Sequence, residues 1–155
     1  MSERSVREHL KKFNLDKRII ELPDSIATVA LAAKELNCEE SRIAKSLAFK
    51  IKDKNILIVS AGDVKIDNAK YRHEFGEKAK MLSYEEVEDC IGHPVGGVCP
   101  FGVKEDVDIY LDESLKRFES VFPACGSTHN AIEIMIEELE TITNYKKWID
   151  VCKFK

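Results

Sequence analysis

Ser46-Leu-Ala-Phe-Lys-Ile51 and Asn55-Ile-Leu-Ile-Val-Ser60 flank the polar triplet Lys52-Asp-Lys54. Two apolar, β-branched runs this close together predict two strands folded back on each other through a hairpin turn. A hairpin sets an antiparallel pair into the sheet, and regular βαβ winding would need a long crossover at that point. Working outward, Val6, Leu10 and Phe13 recur at helical spacing, predicting an amphipathic helix that ends near Asn14. Arg18 to Leu22 reads as a short strand stopped by Pro23, and Thr28 to Leu36 as an alanine-rich helix closed by Asn37. Downstream of the hairpin, Asp67 to Phe75 predicts a helix ending at Gly76. Ser83 with Glu86 forms a capping box for another helix to about Cys90. Val107 to Leu111 and Ala131 to Ile136 are strand-like, and Glu137 to Ile142 and Tyr145 to Val151 read as closing helices. This irregular order predicts an α/β chain of α+β character, with a mixed, largely antiparallel sheet surrounded by helices.

The 155 residues suit one domain spanning 1–155, with no repeat, linker or low-complexity stretch to divide it. No apolar run is long enough to cross a bilayer and Met1 to Lys12 is charged, so the expected location is the cytoplasm, without a membrane partner. The five cysteines are widely spaced with no CxxC, which argues for reduced thiols rather than disulfides or zinc. No three-ligand His/Asp/Glu cluster is evident, so neither a metal nor a cofactor is expected. The net charge of −4 is unevenly spread. Residues 50–80 hold eight Lys/Arg against five Asp/Glu, whereas residues 105–140 hold two against ten. A local basic surface is therefore allowed within an acidic chain, though such a run is also what a solvated face looks like.

Three segments can carry chemistry. Ile91-Gly-His-Pro-Val-Gly-Gly-Val-Cys-Pro-Phe-Gly102 cannot be a regular element. Such a loop either lets a ligand approach the backbone or makes a tight structural turn. It matches neither the Walker A nor the dinucleotide pattern. Pro123-Ala-Cys-Gly-Ser-Thr-His129 again sets small residues before a strand-like run. There Cys125 and His129 raise the alternative of a thiol nucleophile with its base, but nothing in their spacing enforces a geometry. Lys45 stands where a helical turn gives way to an apolar strand. It is either a solvated edge residue or, aimed into a pocket, a compact positive charge for a phosphate or ester oxygen. His9 and His73 lie on polar helical faces, and Trp148 reads as a core anchor.

Taken in order, the landmarks are Thr28-Val-Ala-Leu-Ala-Ala-Lys34, Ile43-Ala-Lys-Ser-Leu-Ala-Phe49, Val59-Ser-Ala-Gly-Asp63, Gly92 to Gly102, Tyr110-Leu-Asp-Glu-Ser-Leu115 and Ala124-Cys-Gly-Ser127. With them the chain, from about Leu22 to Leu139, resembles the YbaK/EbsC aminoacyl-tRNA deacylases, relatives of the editing insertion of bacterial prolyl-tRNA synthetases. The resemblance implies a curved mixed sheet and hydrolysis of the ester on mischarged tRNA. The usual substrates are alanine, cysteine or another small amino acid on the proline tRNA. It implies the aminoacylated 3′ end of tRNA as substrate, prolyl-tRNA synthetase as a further partner, and no DNA. It places the active-site lysine on Lys45, and substrate contacts on Thr28, His93, Gly96, Gly97, Val98, Pro100, Gly102, Ala124, Cys125, Gly126 and Ser127. Departures at Thr28, His93 and Ala124 bear on amino-acid choice rather than on reaction type. A non-catalytic amino-acid or synthetase-binding module and a Cys125-dependent hydrolase are the rival expectations.

Overall fold

The computed structural model describes residues 2–155. Five helices are formed by α1 (Ser2–Lys11), α2 (Val29–Leu36), α3 (Asn68–Phe75), α4 (Tyr84–Ile91) and α5 (Ile136–Ile142). The strands are β1 (Ile20–Glu21), β2 (Ile43–Ile51), β3 (Lys54–Ala61), β4 (Val64–Ile66), β5 (Asp108–Asp112), β6 (Ser120–Pro123), β7 (Asn130–Ala131), β8 (Ile134–Met135), β9 (Tyr145–Ile149) and β10 (Cys152–Phe154).

The hairpin is the centre of the molecule. β2 and β3 pair antiparallel over eight residue pairs from Ala44↔Ala61 to Ile51↔Lys54, and Lys52 takes a positive φ of 52° in the turn. Around this pair the main sheet runs β8-β6-β2-β3-β5-β9. Its β2–β6, β3–β5 and β5–β9 contacts are parallel, while β6–β8 is antiparallel. Two antiparallel ribbons, β1–β7 and β4–β10, complete a mixed, curled sheet with helices packed around it. Alternation along the strands sorts the two faces. Ala44, Ala48, Leu57, Val59, Ile109, Leu111, Val121 and Ile134 form one buried surface. Val6 and Leu10 of α1 are fully buried in the same cluster. Each buried Val, Leu or Ile side chain among them contributes about 1.5–3 kcal/mol relative to exposure. On the opposite face Phe49 meets Tyr71 of α3 at 5.2 Å between ring centres.

The helix ends follow local chemistry. Thr28 Oγ1 accepts from Leu31 N–H at the start of α2, and Asn37 closes it in the left-handed region. Ser83 and Glu86 make the capping box of α4, and Asp67 caps α3.

Several expectations need correction. Tyr145 to Ile149 is an edge strand, not a helix. Its register against β5 steps from Ile109↔Tyr145 to Leu111↔Trp148, an irregularity that puts two residues of β9, Lys146 and Lys147, against one of β5, Tyr110. Tyr145 and Trp148 thereby share a face, their rings 6.3 Å apart, which mimics helical spacing in the sequence. The run Ala131 to Ile136 is split: Asn130–Ala131 pairs with β1, Ile134–Met135 pairs with β6, and α5 begins at Ile136. In Arg18 to Leu22 only Ile20–Glu21 is a strand, since Asp16–Arg18 forms a 3₁₀ turn.

Candidate active site

The site begins with an interruption in the sheet. One edge of β2 is fully covered by β3. The other is covered by β6 at Ile43 and Ala44 only, and further on by the segment 80–82. Lys50 N–H donates to Lys80 O (2.9 Å) and Leu82 N–H donates to Ala48 O (3.0 Å), so even-numbered residues of β2 direct their amides away from β3. The same phase turns the Ser46 N–H and C=O toward the gap, where the described residues supply no strand partner.

A cavity of about 330 Å³ occupies this gap. Thr28 at the cap of α2, Val29 and Ala32 within it, the loop residues Val95, Gly96 and Val98, Met81 and Leu82, and Phe122 with Ala124 enclose it. Its wall is apolar except near Lys45, Ser46 and Thr28. The Thr28 hydroxyl is already used as the helix cap. The Ser46 Oγ is buried and has no hydrogen-bond partner among the described residues. A buried hydroxyl left unpaired is costly, and Asn55 Oδ1, Ser60 Oγ and Tyr71 Oη are also without a partner among the described residues.

Lys45 also lines the cavity. It is half-buried, and its ammonium donates to the Val64 carbonyl on β4. Burial pushes its pKa below the ordinary lysine value, and the charge of Lys155 adds to the effect; Cys152 and Asp63 oppose it. The result is a cation in a poorly solvated setting, where its field acts more strongly than in water.

The two glycine-rich segments meet behind the cavity. A Cβ on Gly97 would come within 2.7 Å of Gly126 C and Ser127 N, so only glycine permits this backbone contact. Of the residues expected to touch substrate, Thr28, Lys45, Gly96, Val98 and Ala124 line the cavity, whereas Gly97, Pro100, Gly102, Gly126, Ser127, Cys125 and His93 do not. His93 lies away from the cavity. It is completely buried, its Nε2–H donates to Phe101 O (2.7 Å), and its Nδ1 lies 2.6 Å from Ser2 Oγ. Burial lowers its pKa against the opposing effect of the Phe101 bond. It ties α1 to the loop. Gly102 serves the same join, packing on the Ser5 backbone, and Ser127 Oγ closes its own turn by donating to Asn130 Oδ1 (3.1 Å). Cys125 is fully buried, and burial drives its thiol far above the usual range, which removes the nucleophilic thiolate. His129 is engaged with Thr128 Oγ1 at 2.8 Å. Among the described residues no group of three His, Cys, Asp or Glu side chains is placed to hold a metal ion, and no helix is long and apolar enough to cross a membrane.

Ser46, Val95, Met81 and Phe122 were not singled out by sequence. Ser46 is adjacent to Lys45, but its exposure to the gap depends on where β6 stops pairing, which no local pattern reports.

Comparison with known proteins bears on the same segment. A family model described as an aminoacyl-tRNA editing domain matches residues 23–142, a span that includes every residue lining the cavity. The chain is 53% identical over 154 residues to the uncharacterized protein YwhH of Bacillus subtilis (strain 168), covering 99% of this chain and 98% of that protein. It is 30% identical over 106 residues to a proline–tRNA ligase of Bacillus cytotoxicus, covering 68% of this chain and 18% of the ligase. The chain thus spans under a fifth of that enzyme's length. A solved structure of a protein proposed to be a trans-editing enzyme for prolyl-tRNA synthetase superposes with a TM-score of 0.87 at 28% identity, covering 98% of this chain and 97% of that one.

Proposed function

The chain belongs to the aminoacyl-tRNA editing domain family, and from that premise we propose that it hydrolyses the ester joining a wrongly attached amino acid to the 3′ end of tRNA. The observation that carries this reading is the cavity at the open edge of β2, apolar except near Lys45, Ser46 and Thr28. An aminoacyl ester is already reactive, so such a site needs to orient it and stabilise developing charge rather than supply a strong nucleophile. The Lys45 ammonium attracts the terminal phosphate or ribose oxygens of the substrate. The Ser46 hydroxyl and amide hold the aminoacyl group beside it. A water oxygen adds to the ester carbonyl carbon. The carbon–oxygen bond to ribose then breaks and the ribose oxygen takes up a proton, leaving the free amino acid and tRNA. The neighbouring ribose hydroxyl of the substrate assists the water. Ile26, Val29, Ile43 and Phe122 bound the side chain of the amino acid by shape. Shape discriminates by only about 1–3 kcal/mol per methylene. Alanine, cysteine or a comparably small residue on the proline tRNA is the substrate most in keeping with the relatives, and the cytosol is where it would be met.

The test is deacylation of a panel of mischarged tRNAs by wild type, Lys45→Ala and Cys125→Ser. Loss of the Lys45 charge should lower kcat/KM by roughly 10²–10³-fold, the scale of removing one transition-state donor. Cys125→Ser should leave turnover close to wild type. Unchanged turnover in Lys45→Ala would overturn the assignment. Tight amino-acid binding without any turnover in wild type would instead point to a non-catalytic module.

A further inference from the structure

The β4–β10 ribbon carries a set of charges that the ester site does not use. Lys65 and Lys153 stand directly opposite each other across the antiparallel pair, both exposed. Lys155 follows two residues beyond Lys153 on the same face, its N–H donating to Asp63 O (3.2 Å). Like charges facing each other across strands weaken the pairing. Nearby acids are already engaged. Asp63 holds Arg117 through both oxygens (2.9 and 2.6 Å), Asp67 accepts from Ala69 and Lys70 N–H at the start of α3, and Asp150 accepts from Lys70 Nζ at 3.1 Å. Phe154, 66% exposed, points to the other face of the ribbon, with the Arg117 guanidinium carbon 5.2 Å from its ring centre. The outer edge of β4 leads straight to the ester site, because Val64 O accepts from the Lys45 ammonium.

Three cations spread along a ribbon do not converge on one small anion. They suit a chain of phosphates. The rest of the chain is net acidic, so a positive strip beside the site favours a polyanion there. We infer that the Lys65–Lys153–Lys155 face is the docking surface for the phosphodiester backbone of the RNA strand that delivers the ester to Lys45. The inference rests on the deacylase reading for its choice of RNA.

Binding of labelled, uncharged tRNA to the full chain is measured by fluorescence anisotropy across a salt series, for wild type and for the double variant Lys65→Gln/Lys153→Gln. The expected result is a slope of log K against log salt that becomes shallower by about 0.7–0.9 for each lysine removed. The variant's thermal midpoint should equal or exceed that of wild type, since a cross-strand repulsion has gone, and this shows that the ribbon still folds. An unchanged slope, or no tRNA binding by wild type, overturns the proposal. So does a slope that changes with heparin but not with tRNA. Ester hydrolysis by wild type is measured separately. Lysine-dependent tRNA binding without hydrolysis removes the deacylase reading and keeps the surface, whereas hydrolysis with an unchanged slope does the reverse.

Discussion

Replacing Ser46 by alanine should move stability and activity in opposite directions. The Oγ atom is buried and has no hydrogen-bond partner among the described residues. A group in that state costs about 1–3 kcal/mol. Deleting one oxygen from a side chain that already borders a cavity leaves little new void, so only a small cavity cost opposes the gain. A net stabilisation of about 0.5–1 kcal/mol is expected. At this chain length that corresponds to a rise in Tm of roughly 1–4 °C. If the hydroxyl donates to or accepts from the bound ester, its removal loses about 0.5–1.5 kcal/mol, or up to about 3 kcal/mol for a bond to the substrate ammonium. That translates to a fall in kcat/KM from about twofold to more than a hundredfold. Differential scanning calorimetry and single-substrate deacylation, run on one protein preparation, read both quantities. A variant that is less stable than wild type and equally active would show that the hydroxyl supports the fold and takes no part in binding.

Gly97→Ala should lower stability by about 1–3 kcal/mol, because its Cβ would sit 2.7 Å from the backbone of Gly126 and Ser127. An unchanged thermal midpoint would mean that the two loops separate freely. His93 predicts a pH effect whose sign follows from burial. Its folded pKa is lowered, so the unfolded chain binds the extra proton first. Stability should therefore be full above the unfolded value of about 6.5 and fall as pH drops below it. Urea unfolding at a series of pH values, compared between wild type and His93→Gln, should show that this part of the dependence flattens in the variant. An equal dependence in both proteins would assign it to another group.

The hairpin at the centre of the fold was legible because β-branched runs and a polar turn lie next to each other in the chain. The capping box of α4 and the ends of α2 and α3 at Asn37 and Gly76 were legible for the same reason, since Ser83, Glu86, Asn37 and Gly76 act on groups a few residues away. β9 was misread because an irregularity against β5 put Tyr145 and Trp148 on one face, a relation that depends on a partner strand far away in sequence. The site divides in the same manner. Lys45 and the glycine-rich segments stood out as residue types, and the ordered landmarks tied them together. Composition alone could not show which side of the loop faces the cavity. Gly96 and Val98 line it, while His93 and Gly102 of the same loop hold α1. Ser46 went unnoticed because its significance comes from an absent neighbour on the β2 edge.

That uncovered edge has a consequence for recognition. Ser46 offers one N–H and one C=O toward the gap, the pair of groups a strand would present to the next strand. An aminoacyl ester carries a carbonyl acceptor and an ammonium donor on neighbouring atoms, whatever its side chain. A ligand seated there would be read as a fragment of missing strand. The backbone of the protein would recognise what all such esters share, and the apolar walls would be left to decide which of them fit. Changes of substrate could then be made by altering wall residues such as Val29 or Phe122, without disturbing the part of the site that grips the common group.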